Sequence, residues 1–159
     1  MAKKSKALTG IAGAYFVAAE LSQRGYIATM TSRNTEGIDL LVSNLDGSRI
    51  VSIQVKTSGA KQRKRFSRSW MLAKKHEDIF SINLFYVFVD LKEEDKKPDF
   101  YVVPSKVVAD HVRTTHCTWL SAPSKTGKSR KDSDMRLFEI YGDDEADEYF
   151  GKWELLGLE

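Results

Sequence analysis

The chain has a single cysteine, Cys117, in 159 residues. An internal disulfide is therefore excluded, and one thiol agrees with a reducing compartment. No apolar run is long enough to cross a bilayer, and the start at Lys3, Lys4 and Lys6 lacks the apolar core of a secretion signal. A soluble, cytoplasmic protein with no membrane partner is expected. A second set of metal ligands is also missing. His111, His116 and Cys117 lie close in sequence, but a structural zinc needs four ligands, so they are read as polar residues at helix ends. What remains is ordinary globular composition, 42% hydrophobic and 30% charged. That is enough to build one domain, 1–159, around a core without staples.

The net charge of +3 conceals two opposed halves. Residues 139–159 carry eight acids, Glu139, Asp143, Asp144, Glu145, Asp147, Glu148, Glu154 and Glu159, against Lys152 alone, a balance of −7. The first 138 residues therefore hold 24 basic against 14 acidic side chains, a balance of +10. A body that basic suits a polyanionic partner, and nucleic acid is the expected one. The densest stretch runs from Lys61 to Arg68, where Lys61, Arg63, Lys64, Arg65 and Arg68 surround Phe66. Cations for phosphates and an aromatic for stacking are what a backbone-tracking segment combines. A solvated charge run is the plain alternative.

Chemistry is concentrated just before that segment. GIDLLVSNLDGSRIVSIQVKTSG reads as two strands joined through Asp46-Gly47, a dipeptide that favours a two-residue type I′ hairpin. Leu45 then faces Ser48, and counting outward sets Asp39 opposite Gln54. Side chains alternate along a strand, so Ile38, Leu40 and Val42 share one face with Val55, Ile53 and Val51, while Asp39, Gln54 and Lys56 share the other. A carboxylate, an amide oxygen and an ammonium converge there. Such a set suits Mg²⁺ (or Mn²⁺) beside a phosphate: magnesium prefers oxygen ligands, commonly one or two carboxylates with waters and phosphate oxygens, and the lysine can position the attacking water.

On these residues the chain resembles the PD-(D/E)XK nuclease superfamily, which includes restriction endonucleases and Holliday-junction resolvases. Ile38-Asp39 stands where the family has Pro-Asp, Gln54-Val55-Lys56 where it has (Asp/Glu)-X-Lys, and Glu20 where many members carry a glutamate on the preceding helix. The resemblance spans roughly residues 7–90. It implies a restriction-endonuclease-like α/β core, a mixed central sheet flanked by helices in αβββαβ order, here with a C-terminal extension. It also implies metal-dependent hydrolysis of DNA phosphodiesters, a metal held by Asp39, Gln54, Glu20 and the main-chain carbonyl of Val55, and the homodimer many members form. Glutamine for the acidic residue is the serious departure, because its oxygen can ligate but brings no charge. Two other function classes stand beside this one: a nuclease-fold protein that binds nucleic acid without cutting it, favoured by the neutral Gln54, and a protein-interaction module using the acidic tail as its contact surface.

The remaining elements are expected as follows. Thr9 caps a helix from about Gly10 to Arg24, ended by Gly25, whose core stripe is Ile11, Ala14, Tyr15, Ala18 and Ser22. Glu20 projects from the opposite side among apolar neighbours, either toward the metal or into an i,i+4 pair with Arg24. Tyr26–Thr31 is a strand, Ser32–Glu36 a polar bend, and 73–80 a short helix. Asn83–Leu91 is apolar on both faces, as a mid-sheet strand should be. Phe100–Val103 is the next strand, and Ser105 caps a helix toward Arg113, closing a core of about 7–113. Residues 121–134 form a basic loop. Its stretch Ala122–Ser129 loosely matches a phosphate-binding loop but neither follows a buried strand nor opens a helix, so it is set aside. An acidic helix over about 143–157 ends the chain, its acids favoured at the N-terminal turn and able to mimic DNA or shield a basic cleft.

Overall fold

The computed structural model describes residues 5–32, 36–59 and 67–159. Helix α1 spans Lys6–Gln23 and is followed by strands β1 (Ile27–Met30), β2 (Leu40–Ser43), β3 (Ile50–Ser58) and β4 (Ser67–Ala73). A 3₁₀ helix at Lys74–Glu77 leads to β5 (Leu84–Asp90), β6 (Asp99–Pro104) and helix α2 (Ser105–Ser121). Strand β7 (Met135–Tyr141), helix α3 (Gly142–Tyr149) and a second 3₁₀ helix (Trp153–Leu156) complete the chain. Five strands form a mixed sheet in the order β1-β2-β3-β5-β6, with β3 and β5 parallel and the other neighbours antiparallel. Strands β4 and β7 make a separate antiparallel ribbon. This is the expected mixed α/β architecture with a C-terminal extension, enlarged by that ribbon.

Each face of the sheet has its own core. Odd-numbered residues of β3 and β5, among them Val51, Ile53, Val87 and Val89, pack with Val17 and Leu21 of α1 and with Trp153 and Leu156. On the other face Tyr86, Phe88, Tyr101 and Val103 pack under Val108 and Val112 of α2 and under Trp70, Leu72, Phe138 and Ile140 of the ribbon. All seven residues of β5 are buried, because it is the strand covered on both sides. The ribbon and α2 cover β5 and β6, but Leu41 of β2, which shares their side of the sheet, stays 43% exposed. Among the described residues the flank over β2 is thus open, while β3 beside it is partly covered.

The hairpin register is the expected one: Leu40 pairs with Ile53 and Val42 with Val51, so Asp39 falls opposite Gln54. Its turn is different. Asp46 does not adopt positive φ, only Gly47 does (φ 70°), and Asn44 accepts from the Gly47 N–H at 3.1 Å. The loop is therefore the four residues Leu45–Ser48 rather than two. Both lengths leave the same residues paired outside the loop, which is why the register is unaffected.

Helix α1 begins a turn earlier than expected. Ser5, not Thr9, caps it, its hydroxyl accepting from the Leu8 N–H at 3.1 Å. The core stripe is also rotated: Gly13, Ala14, Val17, Glu20 and Leu21 are buried, whereas Tyr15 is 63% exposed. A helix that is apolar nearly all round does not reveal its inward side by periodicity. Gly13 decides it, because only a residue without Cβ lets the helix lie against Thr57 of β3. The expected helix from Ser105 continues to Ser121, and the Ser105 hydroxyl, rather than capping it, donates to the Ser81 carbonyl at 2.9 Å. The expected terminal helix breaks after Tyr149, and Gly151 (φ 64°) turns the chain so that Trp153 and Leu156 enter the core beneath α1.

Candidate active site

Asp39 is held from three directions. Its N–H donates to the Ile53 carbonyl at 2.8 Å, its carbonyl accepts from the Thr31 N–H at 3.0 Å, and its Oδ2 accepts from the Val55 N–H at 2.7 Å. Its Oδ1 makes no hydrogen bond among the described residues. The parity of β3 explains the arrangement. Ser52 donates to Asn83 and Ser58 accepts from Leu91, so even residues use their backbone toward β5 and odd ones toward β2. The Val55 carbonyl therefore faces the same gap as the Asp39 carboxylate, just beyond the end of β2.

Gln54 and Lys56 project from β3 on the same side of the sheet as the exposed Leu41. Gln54 is buried, and the amide orientation that satisfies both its ends has Nε2 donating to the Gly37 carbonyl at 3.2 Å and Oε1 accepting from Lys56 Nζ at 3.1 Å. Gly37 presents that carbonyl from a left-handed conformation (φ 75°) that favours glycine. Burial pushes the Lys56 ammonium below its usual pKa, Asp39 opposes that shift, and the charge of Lys75 adds to it. A lysine so placed gives up its proton more readily than one in water, which suits proton transfer to or from a water molecule. The structure thus brings Asp39, Gln54, the Val55 carbonyl and Lys56 together.

Glu20 is not brought with them, which corrects the expectation from the sequence. Thr57, Val55 and Ile53 face α1, and Gln54 and Lys56 face away from it, so α1 lies across the sheet from the two side chains. Both oxygens of Glu20 are engaged there, Oε1 with Arg24 at 2.9 Å and Oε2 with Lys97 at 2.7 Å. Burial raises this carboxyl's pKa, but Lys97 and Arg24 outweigh it and hold the group below its usual value. The i,i+4 pair with Arg24 is the reading the structure supports, with Lys97 added from the β5–β6 turn.

The basic segment is divided. Lys61, Arg63, Lys64, Arg65 and Phe66 lie outside the described residues. Arg68 belongs to β4, in the inward row with Trp70 and Leu72, and its guanidinium lies 5.5 Å from the centre of the Tyr101 ring. It is therefore a ribbon-to-sheet contact rather than part of a solvated charge run, because strand alternation turns it inward. His111 and His116 are likewise engaged structurally, His111 accepting from the Glu139 N–H at 3.3 Å and His116 meeting Asp132 at 2.7 Å. Ala122–Ser129 follows a helix and stays irregular, as no phosphate-binding loop does.

One site residue escaped the sequence altogether. His76, in the first 3₁₀ helix, is buried, and its Nδ1 lies 2.7 Å from the hydroxyl of Tyr86, the residue paired with Gln54 across β3 and β5. Burial, then the charges of Lys56 and Lys75, push its pKa down from 6.5 to about 4. Burial raises that of Tyr86 to about 12. No periodicity marks a lone histidine between two lysines and two acids. A pH dependence follows from this placement. The unfolded chain takes up a proton near pH 6.5 that the folded chain refuses until about 4, so stability falls as pH drops through that window. The loss amounts to at most about 3 kcal/mol. Urea melts of wild type and His76→Gln at pH 7, 5.5 and 4.5 check it: the variant's stability should fall less steeply, and parallel profiles would refute the assignment.

Among the described residues no group of three or more His, Cys, Asp or Glu side chains is placed to hold a metal ion. The donors that could hold a metal are therefore Asp39 Oδ1, Gln54 Oε1 and the Val55 carbonyl, three hard oxygens with one charge. That set fits Mg²⁺ or Mn²⁺ when a substrate phosphate completes the shell, and fits zinc or other soft-ligand metals poorly.

No protein-family model matches this chain, and no curated protein matches it in sequence. Among solved structures it is similar to the bacterial homing endonuclease I-Ssp6803I, with 17% identity, a TM-score of 0.59 and coverage of 98% of this chain and 94% of the other. The protein thus has a nuclease-like fold, a mixed five-stranded sheet flanked by helices.

Proposed function

We propose that the protein is a metal-dependent endonuclease of the PD-(D/E)XK type in its Q-X-K form, acting on DNA. The convergence of Asp39, Gln54 and Lys56 on one face of the sheet at β3, within a nuclease-like fold, carries this reading. Asp39, Gln54 Oε1 and the Val55 carbonyl would hold the divalent cation, which when bound supplies Lewis acidity at a phosphoryl oxygen. Asp39 is fixed by Ile53, Thr31 and Val55 before any ligand arrives, so little reorganisation opposes binding. Lys56, anchored on Gln54 Oε1, would orient the attacking water and move its proton. The balance of +10 over residues 1–138 supports a polyanionic substrate.

Incubation of the purified protein with supercoiled, linear and four-way-junction DNA, with Mg²⁺, Mn²⁺ or EDTA, tests this. Nicking or cutting that requires the metal is expected. The second reading, a nuclease-fold protein that binds DNA without cutting it, is favoured by one observation: Gln54 is neutral, so Lys56 offsets the only carboxylate of the set. Binding without cleavage in either metal would select it.

A further inference from the structure

The mouth of this site carries an ion pair that the cleavage chemistry leaves unused. Glu36, in the turn preceding β2 and three residues before Asp39, meets Lys75 Nζ at 2.6 Å. Their side chains are 77% and 50% exposed. The pair joins the Asp39 side of the site to the 3₁₀ helix that carries His76. The helix end of this link is well anchored: His76 is buried against Tyr86, and the Lys74 N–H donates to the Asp134 carbonyl at 2.8 Å. Lys74 is drawn to Asp132 at 3.0 Å, which leaves Lys75 as the lysine of the two that bears on Lys56.

We propose that Lys75 is a substrate-phosphate contact of this site and that the Glu36 carboxylate occupies, in the free protein, the place a nucleic-acid phosphate takes on binding. The inference rests on the nucleic-acid reading above and assigns it a residue pair that the sequence motif does not contain. An exposed carboxylate–ammonium pair is weak and screened, so a polyanion that delivers several phosphates at once can displace the carboxylate. Among the described residues, the acids Glu36 and Asp39 match the cations Lys75 and Lys56 in number. A phosphate backbone replaces one of those acids and leaves Asp39 for the metal.

The test is a salt titration of binding to a short DNA duplex in EDTA, for wild type, Glu36→Gln, Lys75→Ala and the double variant, with melting temperatures alongside. Glu36→Gln should bind about two- to fivefold more tightly. Lys75→Ala should bind more weakly, with the slope of log affinity against log salt reduced by about 0.9. In the double variant the gain from Glu36→Gln should vanish, because the lysine it frees is gone. Weaker binding in both single variants with lowered melting temperatures would make the pair a structural brace and overturn the proposal. An unchanged slope in Lys75→Ala, with wild type binding normally, would overturn it and leave the nucleic-acid reading standing. No binding by wild type at any salt would remove both.

Discussion

Gly13→Ala should destabilise the protein by about 3 kcal/mol, although glycine-to-alanine within a helix is normally favourable by about 0.5–1 kcal/mol. A Cβ at residue 13 would stand 1.9 Å from Thr57 Oγ1, 2.8 Å from its Cγ2 and 2.9 Å from its Cβ. Neither side can give easily. Threonine is β-branched and stiff at χ1, and Val17 and Leu21, both fully buried, pin α1 against the same strand. The steric term therefore exceeds the gain in helix propensity. Thr57→Ala alone should cost little, because the hydroxyl it removes is buried without a hydrogen-bond partner among the described residues. Combined with Gly13→Ala it should recover part of the loss, since the two nearest obstructing atoms are gone and only the Thr57 Cβ contact remains. Urea unfolding of the four proteins gives the coupling energy directly. A more stable Gly13→Ala protein would show that α1 does not approach β3 in this way.

Gln54→Glu should bind Mn²⁺ about tenfold more tightly or better, because affinity at oxygen sites rises with the number of charged ligands. Two local costs accompany the change in the metal-free protein. The new carboxylate lies near Asp39, and its oxygen faces the Gly37 carbonyl where Gln54 Nε2 donates. The apo fold should therefore be slightly less stable, and metal should reverse the deficit. Lys56→Ala should reduce cleavage by at least about a hundredfold while leaving duplex binding within a few-fold of wild type. Calorimetric titration with Mn²⁺ and plasmid nicking on the three proteins check both statements. Equal metal affinity in wild type and Gln54→Glu would show that residue 54 is no ligand, and nicking that survives in Lys56→Ala would remove the proposed role of the lysine.

These two experiments probe opposite sides of one strand. Thr57 faces α1 and Lys56 faces the cleft, so pressure applied at Gly13 is transmitted to the neighbour of the proposed catalytic lysine. A Gly13→Ala protein that still folds should lose activity out of proportion to its stability if β3 shifts, because productive geometry tolerates little displacement.

The sequence by itself determined the pairing of Asp39 with Gln54 and the division of the hairpin into an apolar and a polar face. Both follow from the period of two along a strand, and loops of two or four residues preserve the same register. It also determined β5 as an interior strand covered on both faces, because a run apolar on both faces has no solvated side. The loop at Asp46-Gly47 has four residues where the dipeptide favours two, without consequence for the register, for that reason of parity. Only the tertiary structure decided the fate of Glu20. The sequence offers Arg24 for one of its oxygens, but the partner of the other, Lys97, is 77 residues away. The same holds for the inward placement of Arg68 on Tyr101, for the β4–β7 ribbon, and for His76 against Tyr86. Local periodicity says which residues share a face, but which face is covered depends on segments distant in sequence. The ion pair of Arg136 with Glu77, 59 residues apart, is such a contact, and it ties the ribbon to the turn that carries His76 and Lys75.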